Sequence, residues 1–525
     1  MVARLLDVSA FVSVVLRGLT LIFESLLIGG TGFQILLTVR ARAQAGADEL
    51  VRPVLFTIRI AAAGLAITQF VSVSVTCLIL TDTTGLKLSE VIGANFAIAG
   101  LTMVLGCLLL IAYLGKATRS LAIQAGLVLV IMLSSVATSH AWSRMDHREI
   151  STGFTFLHHL AAGIWIGALP YLLISLHRAA SPERLASIVR AFSSMAMAGV
   201  SAILITGASL TFLYLKSPSD FYGTSYGAMI GSKILLTAGT LGLGAMNFLI
   251  VRRLGQNPAN GFRRLRRLVE AEIGIGFTVL LAAASLASQP PAIDLAEGRV
   301  TTEDVIQRFT PHIPRLKTPA LSEISPATDE LLPSTPGDIA WSEYNHHWAG
   351  LIVAAIGLLA FAGRGGKLTW ARNWPLLFIG LAVFLFLRAD PENWPLGPNG
   401  FWKSFLVSEV LQHRFFMLLI AGFAVFEWRL QNGRSSSAWM SYVFPGMCAL
   451  GGAALLSHSH SFSSNNKEST LIELSHIPLA IFAVYAGWAR WLELRMEPES
   501  PKALSWVWTL CFVMIGAALL LYREA

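Results

Sequence analysis

The chain has 525 residues, 54% of them apolar and only 13% charged, with a formal net charge of +8. That composition lies far from the average soluble domain and excludes a water-soluble fold for most of the chain. The positive charge sits in short loops between apolar runs, where topology explains it better than a nucleic-acid ligand would, so no nucleic-acid partner is expected.

Apolar runs near the roughly 20 residues that a bilayer demands recur about fourteen times. In chain order they are 11–37, 54–80, 92–114, 121–139, 152–176, 192–215, 226–250, 270–288, 347–363, 373–388, 405–427, 438–457, 471–490 and 504–522. The fold class is therefore an all-α polytopic membrane protein in an 8+6 arrangement, with lipid as its solvent. The first run is too long, and lacks a small-residue cleavage site, to read as a cleaved signal peptide. Lys and Arg concentrate in the loops after odd-numbered spans, Arg252, Arg253 and Arg263 to Arg267 most heavily. The positive-inside rule then puts both termini outside.

Residues 289–346 form the one long stretch without a span. They are Pro-rich and read as an external linker or lid, with a short amphipathic helix at Thr302–Phe309. The expected domains are 1–288, the 289–346 linker and 347–525. The four cysteines are scattered, form no CxxC and read as small buried apolar residues.

The histidines sort by side. Of the 12, only His177 falls on the cytoplasmic side. His140 flanks span four, and His158 with His159 lies in the outer half of span five. His346 and His347 open span nine, His413 lies in span eleven, His458 and His460 close span twelve, and His476 enters span thirteen. Imidazole suits copper, zinc, iron and nickel, so such a belt at one depth reads as a metal entry site. Glu409, His413 and Met417, at i, i+4 and i+8, share one face and offer carboxylate, imidazole and thioether. Glu473 and His476 repeat the pairing at i, i+3. His158 and His159 point about 100° apart, so both cannot face one pocket squarely. Further intramembrane charges are Arg17 and Glu24, read as an ion pair two turns apart, with Lys233 and Glu272. No Walker A loop or ATPase signature is present, which argues against nucleotide-driven pumping and against an enzyme.

The order His158-His159, Gly163 to Gly167, Arg190 to Ser193, Thr206-Gly207, Tyr226-Gly227, Lys233, Asn247, Arg263 to Arg267, Glu272 and Gln289-Pro290-Pro291 resembles the copper resistance D (CopD/PcoD-like) family. Arg17 and Gly29-Gly30 on the first span extend the likeness, which covers about residues 10–292. The resemblance implies a multi-pass inner-membrane protein that moves copper, partnered by a periplasmic CopC-like copper-binding protein. It marks His158, His159, Trp165, Lys233 and Glu272 as family residues. No CopC domain is fused here, and the last six spans lie outside the resemblance. The alternative is a membrane redox protein holding haem b between paired histidines, His140 with His158 or His413 with His476, and passing electrons to quinone or copper.

Overall fold

A computed structural model describes residues 2–524, apart from 42–47, 117–119, 180, 257, 296–297, 324–334, 365–367, 406–407, 434–437, 458–466 and 497–501. The side chains of residues 2–10, 40, 41, 48, 408, 409, 412, 438, 457 and 502 also lie outside that description. Within it the protein is all-α, and eleven helices are long and apolar enough to cross a membrane. Two shorter apolar helices, Leu121–Val136 and Leu376–Arg388, and the helix Ser408–Gln431 occupy the other three predicted positions. Large apolar side chains such as Phe212 (84% exposed) and Leu418 (73%) point outward, as lipid-facing residues do.

The chain divides into two compact units, Met1–Phe221 with Met229–Leu295, and Tyr222–Ala228 with Ala296–Ala525. The first contains α1 (Val2–Ala41), α2 (Asp48–Thr84), α3 (Asn95–Leu114), α4 (Leu121–Val136), α5 (Arg148–Arg178) and α6 (Pro182–Tyr214). It is completed by most of α7 (Ser225–Arg252) and by α8 (Pro258–Ala287). Leu27 and Phe33 of α1, Ile58 and Leu65 of α2, Met103 and Leu110 of α3 and Tyr171 of α5 form one buried core.

The fifth helix is not regular. Gly163–Gly167 adopts a π-turn, and the α-helix resumes with Pro170 in its first turn. Proline has no amide hydrogen and its ring collides with the carbonyl four residues back, so a helix carrying one inside must widen, kink or stop. Here the glycine-rich GIWIG run takes up the widening. Its glycines also let α1 approach at backbone distance. A Cβ on Gly167 would stand 1.8 Å from the Ser25 carbonyl oxygen, and one on Gly29 2.2 Å from the Gly167 carbonyl carbon. Small residues at such crossings are the usual means by which membrane helices gain packing contact.

The second unit holds α9 (Thr302–Phe309), α10 (Pro336–Gly363), α11 (Leu376–Arg388), α12 (Ser408–Gln431), α13 (Val443–Ser457), α14 (Lys467–Met496) and α15 (Lys502–Leu520). Its core is aromatic, with Trp374, Phe378, Phe444, Trp508 and Phe512 mutually packed. The amphipathic helix read from the sequence is present with the expected bounds. The start of α10 is not where the apolar run begins. Thr335 and Asp338 form a capping box with Pro336 in the first turn, so the helix opens eleven residues before the predicted span. His346 and His347 therefore sit about three turns inside a helix rather than at its mouth.

A second capping box, Thr301 with Asp304, opens α9, and Lys467 reaches Asp304 Oδ1 at 2.6 Å. The Lys467 ammonium first, then the Thr301 amide and hydroxyl, hold the Asp304 carboxyl down at about 2. A carboxyl lowered on folding contributes stability above its unfolded value, near ~4, and loses it as pH falls through the folded one. The protection factors of the amides across residues 302–309 are therefore expected to be flat from pH 8 to 5 and to fall between pH 4 and 2. Equal protection at pH 6 and pH 2 would show that the cap does not depend on the carboxylate.

Candidate functional site

The first unit gathers its intramembrane polar groups around α5. His159 and Glu24 of α1 meet with Nδ1 and Oε1 3.2 Å apart, while Ser135 of α4 donates to Glu24 Oε2 at 2.7 Å. Glu24 is only 2% exposed. A carboxylate can only accept, so the His159 Nδ1 carries the proton and Nε2 keeps its lone pair. A carboxylate behind an imidazole is the usual support of a metal-binding histidine, because it fixes ring and tautomer and raises the basicity of the other nitrogen.

The expected Arg17–Glu24 ion pair does not form. Arg17 Nη1 donates instead to Thr138 Oγ1 at 2.9 Å. Both side chains lie on one face of α1, but partners on α4, α5 and the turn after α4 compete successfully for each.

His158 faces the other way, as its 100° offset requires. Its Nδ1 lies 2.9 Å from Thr206 Oγ1, whose own hydroxyl donates to the Ala202 carbonyl at 2.6 Å. The Thr206 proton is thus used, so His158 Nδ1 donates to Thr206 and Nε2 is the bare nitrogen. Lys233 Nζ sits 3.3 Å from that nitrogen. One π-turn further along α5, Trp165 Nε1 donates to Glu272 Oε1 at 2.8 Å and Asn247 Nδ2 to Oε2 at 2.6 Å. Glu272 is buried with these two neutral donors. The His140 ring bonds to the Ala287 carbonyl, and its Nε2 is buried without a hydrogen-bond partner among the described residues.

In the second unit, His413 Nδ1 lies 2.7 Å from Asp390 Oδ1, a second carboxylate-backed imidazole. Arg414 pins the segment that carries Asp390 by donating to the Phe386 and Trp394 carbonyls at 2.7 and 2.6 Å. Met417 is buried on the same helix. Glu409, His458 and His460, three of the expected site residues, lie outside the described side chains.

His346 and His476 come together, with ring centroids 6.2 Å apart, and His346 stacks on Tyr522 at 3.8 Å. Each donates its Nδ1 proton to the carbonyl four residues back, Ser342 at 2.8 Å and Ile472 at 2.7 Å. Arg308 lies over the other aromatic partner, 4.6 Å from the Tyr522 centroid, and Glu524 accepts from Ser342. Glu473 is buried on α14.

His347 differs from its neighbour. It accepts from the Arg315 amide on Nδ1 at 2.7 Å and donates Nε2–H to the Tyr522 carbonyl at 2.8 Å. Both nitrogens are engaged by backbone, which leaves no lone pair for a metal in this arrangement.

Neither histidine pair named for haem is brought together by these contacts. His158 has both nitrogens engaged, and His413 and His476 keep separate partners. No group of three or more His, Cys, Asp or Glu side chains disposed to hold a metal occurs among the described residues. Among the described side chains the fold offers two imidazoles backed by a carboxylate, His159 and His413, and the close His346–His476 pair.

The sequence reading missed Thr206, Asn247, Ser135, Asp390 and Tyr522 as members of these centres. All are ordinary polar residues whose significance lies in cross-helix contact. Thr206 and Asn247 alone carried a signal, through the family likeness.

Comparison with known proteins bears on this geometry. Residues 186–286 match the model of the copper resistance protein D family. That segment supplies Thr206 and Lys233, the partners of His158, and Glu272 with Asn247, the first a partner of Trp165 and the second a partner of Glu272. The chain is also 29% identical over 163 residues to the copper transport protein CutJ of Bacillus subtilis (strain 168), covering 30% of this chain and 29% of that relative. The match thus spans under a third of the relative's length. No solved structure matches.

Proposed function

We propose, from a chain whose residues 186–286 match the copper resistance D family, that this polytopic membrane protein carries copper ions across the bacterial inner membrane, inward from the periplasm. The observation that carries the reading is the Glu24–His159 pair, a carboxylate-oriented imidazole inside a span, with His158 on the next residue. Intramembrane ionisable groups are costly and mark ion pathways by default. The Asp390–His413 pair supplies a comparable ligand in the second unit. Imidazole with a single carboxylate behind it binds copper firmly enough to capture it and, lacking further ligands, weakly enough to release it. The membrane potential or the copper gradient supplies the drive, and a CopC-like periplasmic protein delivers the ion.

Purified full-length protein in proteoliposomes tests this by uptake of Cu(I), with metal analysis and an absorption spectrum of the same preparation. His159→Ala is expected to lower uptake at least ten-fold. Glu24→Gln, which keeps the shape but removes the charge behind the ring, is expected to weaken copper affinity by about 10–100-fold. Uptake unchanged in His159→Ala and in the His159→Ala/His413→Ala double variant would reject the reading. Stoichiometric iron with a strong Soret band would replace it by the haem alternative.

A further inference from the structure

Lys233 is a buried-side cation placed where a metal would bind. Its ammonium lies 3.3 Å from His158 Nε2, and the Thr206 contact at 2.9 Å establishes that this nitrogen carries the lone pair. No ion pair of Lys233 with a carboxylate occurs among the described residues. The buried carboxylate of α8, Glu272, is instead held by Trp165 and Asn247. An ammonium without a counter-charge inside a span is expensive, so its persistence against an imidazole calls for a reason. Two cations cannot share one lone pair, and at this distance in a low-dielectric site their mutual repulsion is large.

We propose that Lys233 is a tethered competitor for copper at His158. With no metal present, the ammonium occupies the His158 lone pair and keeps the ring in the tautomer that a metal needs. When copper arrives from His159, the flexible four-carbon stem swings the ammonium aside and Nε2 becomes a ligand. No covalent bond changes and no proton need leave Lys233. The consequence is a second ligand that is closed at rest and opens only to a cation able to displace an ammonium. This rests on the proposed copper reading and specifies how its inner ligand is regulated.

Ag(I), a redox-inert stand-in for Cu(I), provides the probe, with binding measured calorimetrically on the full chain in detergent. Lys233→Leu removes the competing charge and adds no metal ligand. It is expected to add one site, or to tighten an existing one at least ten-fold, and His158→Ala in the same background should abolish that gain. Lys233→Arg, which retains a cation, should bind as wild type does. Lys233→Gln serves in place of the leucine variant if the latter does not yield monodisperse protein. Ag(I) binding by Lys233→Leu equal to wild type, in protein that binds Ag(I) through His159, overturns the competitor and leaves the copper reading intact. Failure of wild type and every variant to bind Ag(I) overturns both.

Discussion

Glu493→Ala is expected to destabilise the second unit by about 3–5 kcal/mol, because it strands the buried Arg490 guanidinium. Glu493 is 6% exposed on α14 and is the hub of a network. Arg364 approaches it with two nitrogens, one at 2.9 Å, Arg490 donates at 2.7 Å and the Trp508 indole at 2.8 Å; Ser505 donates as well. Both guanidinium groups lie over the Trp508 ring, 4.7 and 5.4 Å from its centroid. Removing the carboxylate leaves Arg490 with only Glu427, at 3.5 Å, and Arg364 with no carboxylate among the described residues. Thermal unfolding in detergent, followed by the loss of helical circular dichroism, measures the effect. Glu493→Gln should fall between wild type and alanine, since it keeps acceptors but not charge. A midpoint for Glu493→Ala within two degrees of wild type would mean that the network is relaxed by water and contributes little.

The second large effect is expected at the α1–α5 crossing. Gly167→Ala places a methyl group 1.8 Å from the Ser25 carbonyl oxygen, a contact with backbone that no rotamer can relieve. Ordinary overpacking costs about 1–3 kcal/mol, and a clash between two helix backbones exceeds that range. The helices must separate. Glu24, the neighbour of Ser25, then moves away from His159, so folded yield and copper binding fall together. Gly32→Ala on the same helix is the control. Its added methyl meets nothing within 4 Å, and alanine is the better helix former by up to about 1 kcal/mol. Size-exclusion chromatography should show Gly32→Ala monodisperse and Gly167→Ala aggregated or poorly inserted. A monodisperse Gly167→Ala that binds copper normally would show that the crossing tolerates separation.

The membrane class was legible because a bilayer imposes a length and an apolar content on every span, and each predicted run has a helix in its place. The division of labour between His158 and His159 was also legible, since consecutive residues on a helix cannot share a direction. Pairings across helices were not. Arg17 and Glu24 looked like partners on one face, and nothing in their spacing revealed that Thr138, Ser135 and His159 would claim them. The inner location of His346 and His347 turned on a capping box in the proline-rich stretch, a local signal masked by the polar composition around it. His347 lost its place among available ligands to two backbone groups, at Arg315 and Tyr522, far apart in sequence. Such contacts depend on topology, and hydropathy carries no record of them.

The adjacency of the two histidines on α5 has a mechanical consequence. One helical turn carries both rings, so any twist that loosens His158 from Thr206 and Lys233 also drags His159 relative to Glu24. The π-turn just below, Gly163–Gly167, sets one surplus residue in the backbone between the histidine-bearing segment and Leu169–Arg178, and it is this turn that carries Trp165 to Glu272. The two rings on α5 are thus carried by one stretch of backbone, and the contacts of His158 with Thr206 and of His159 with Glu24 fix its rotation from two sides.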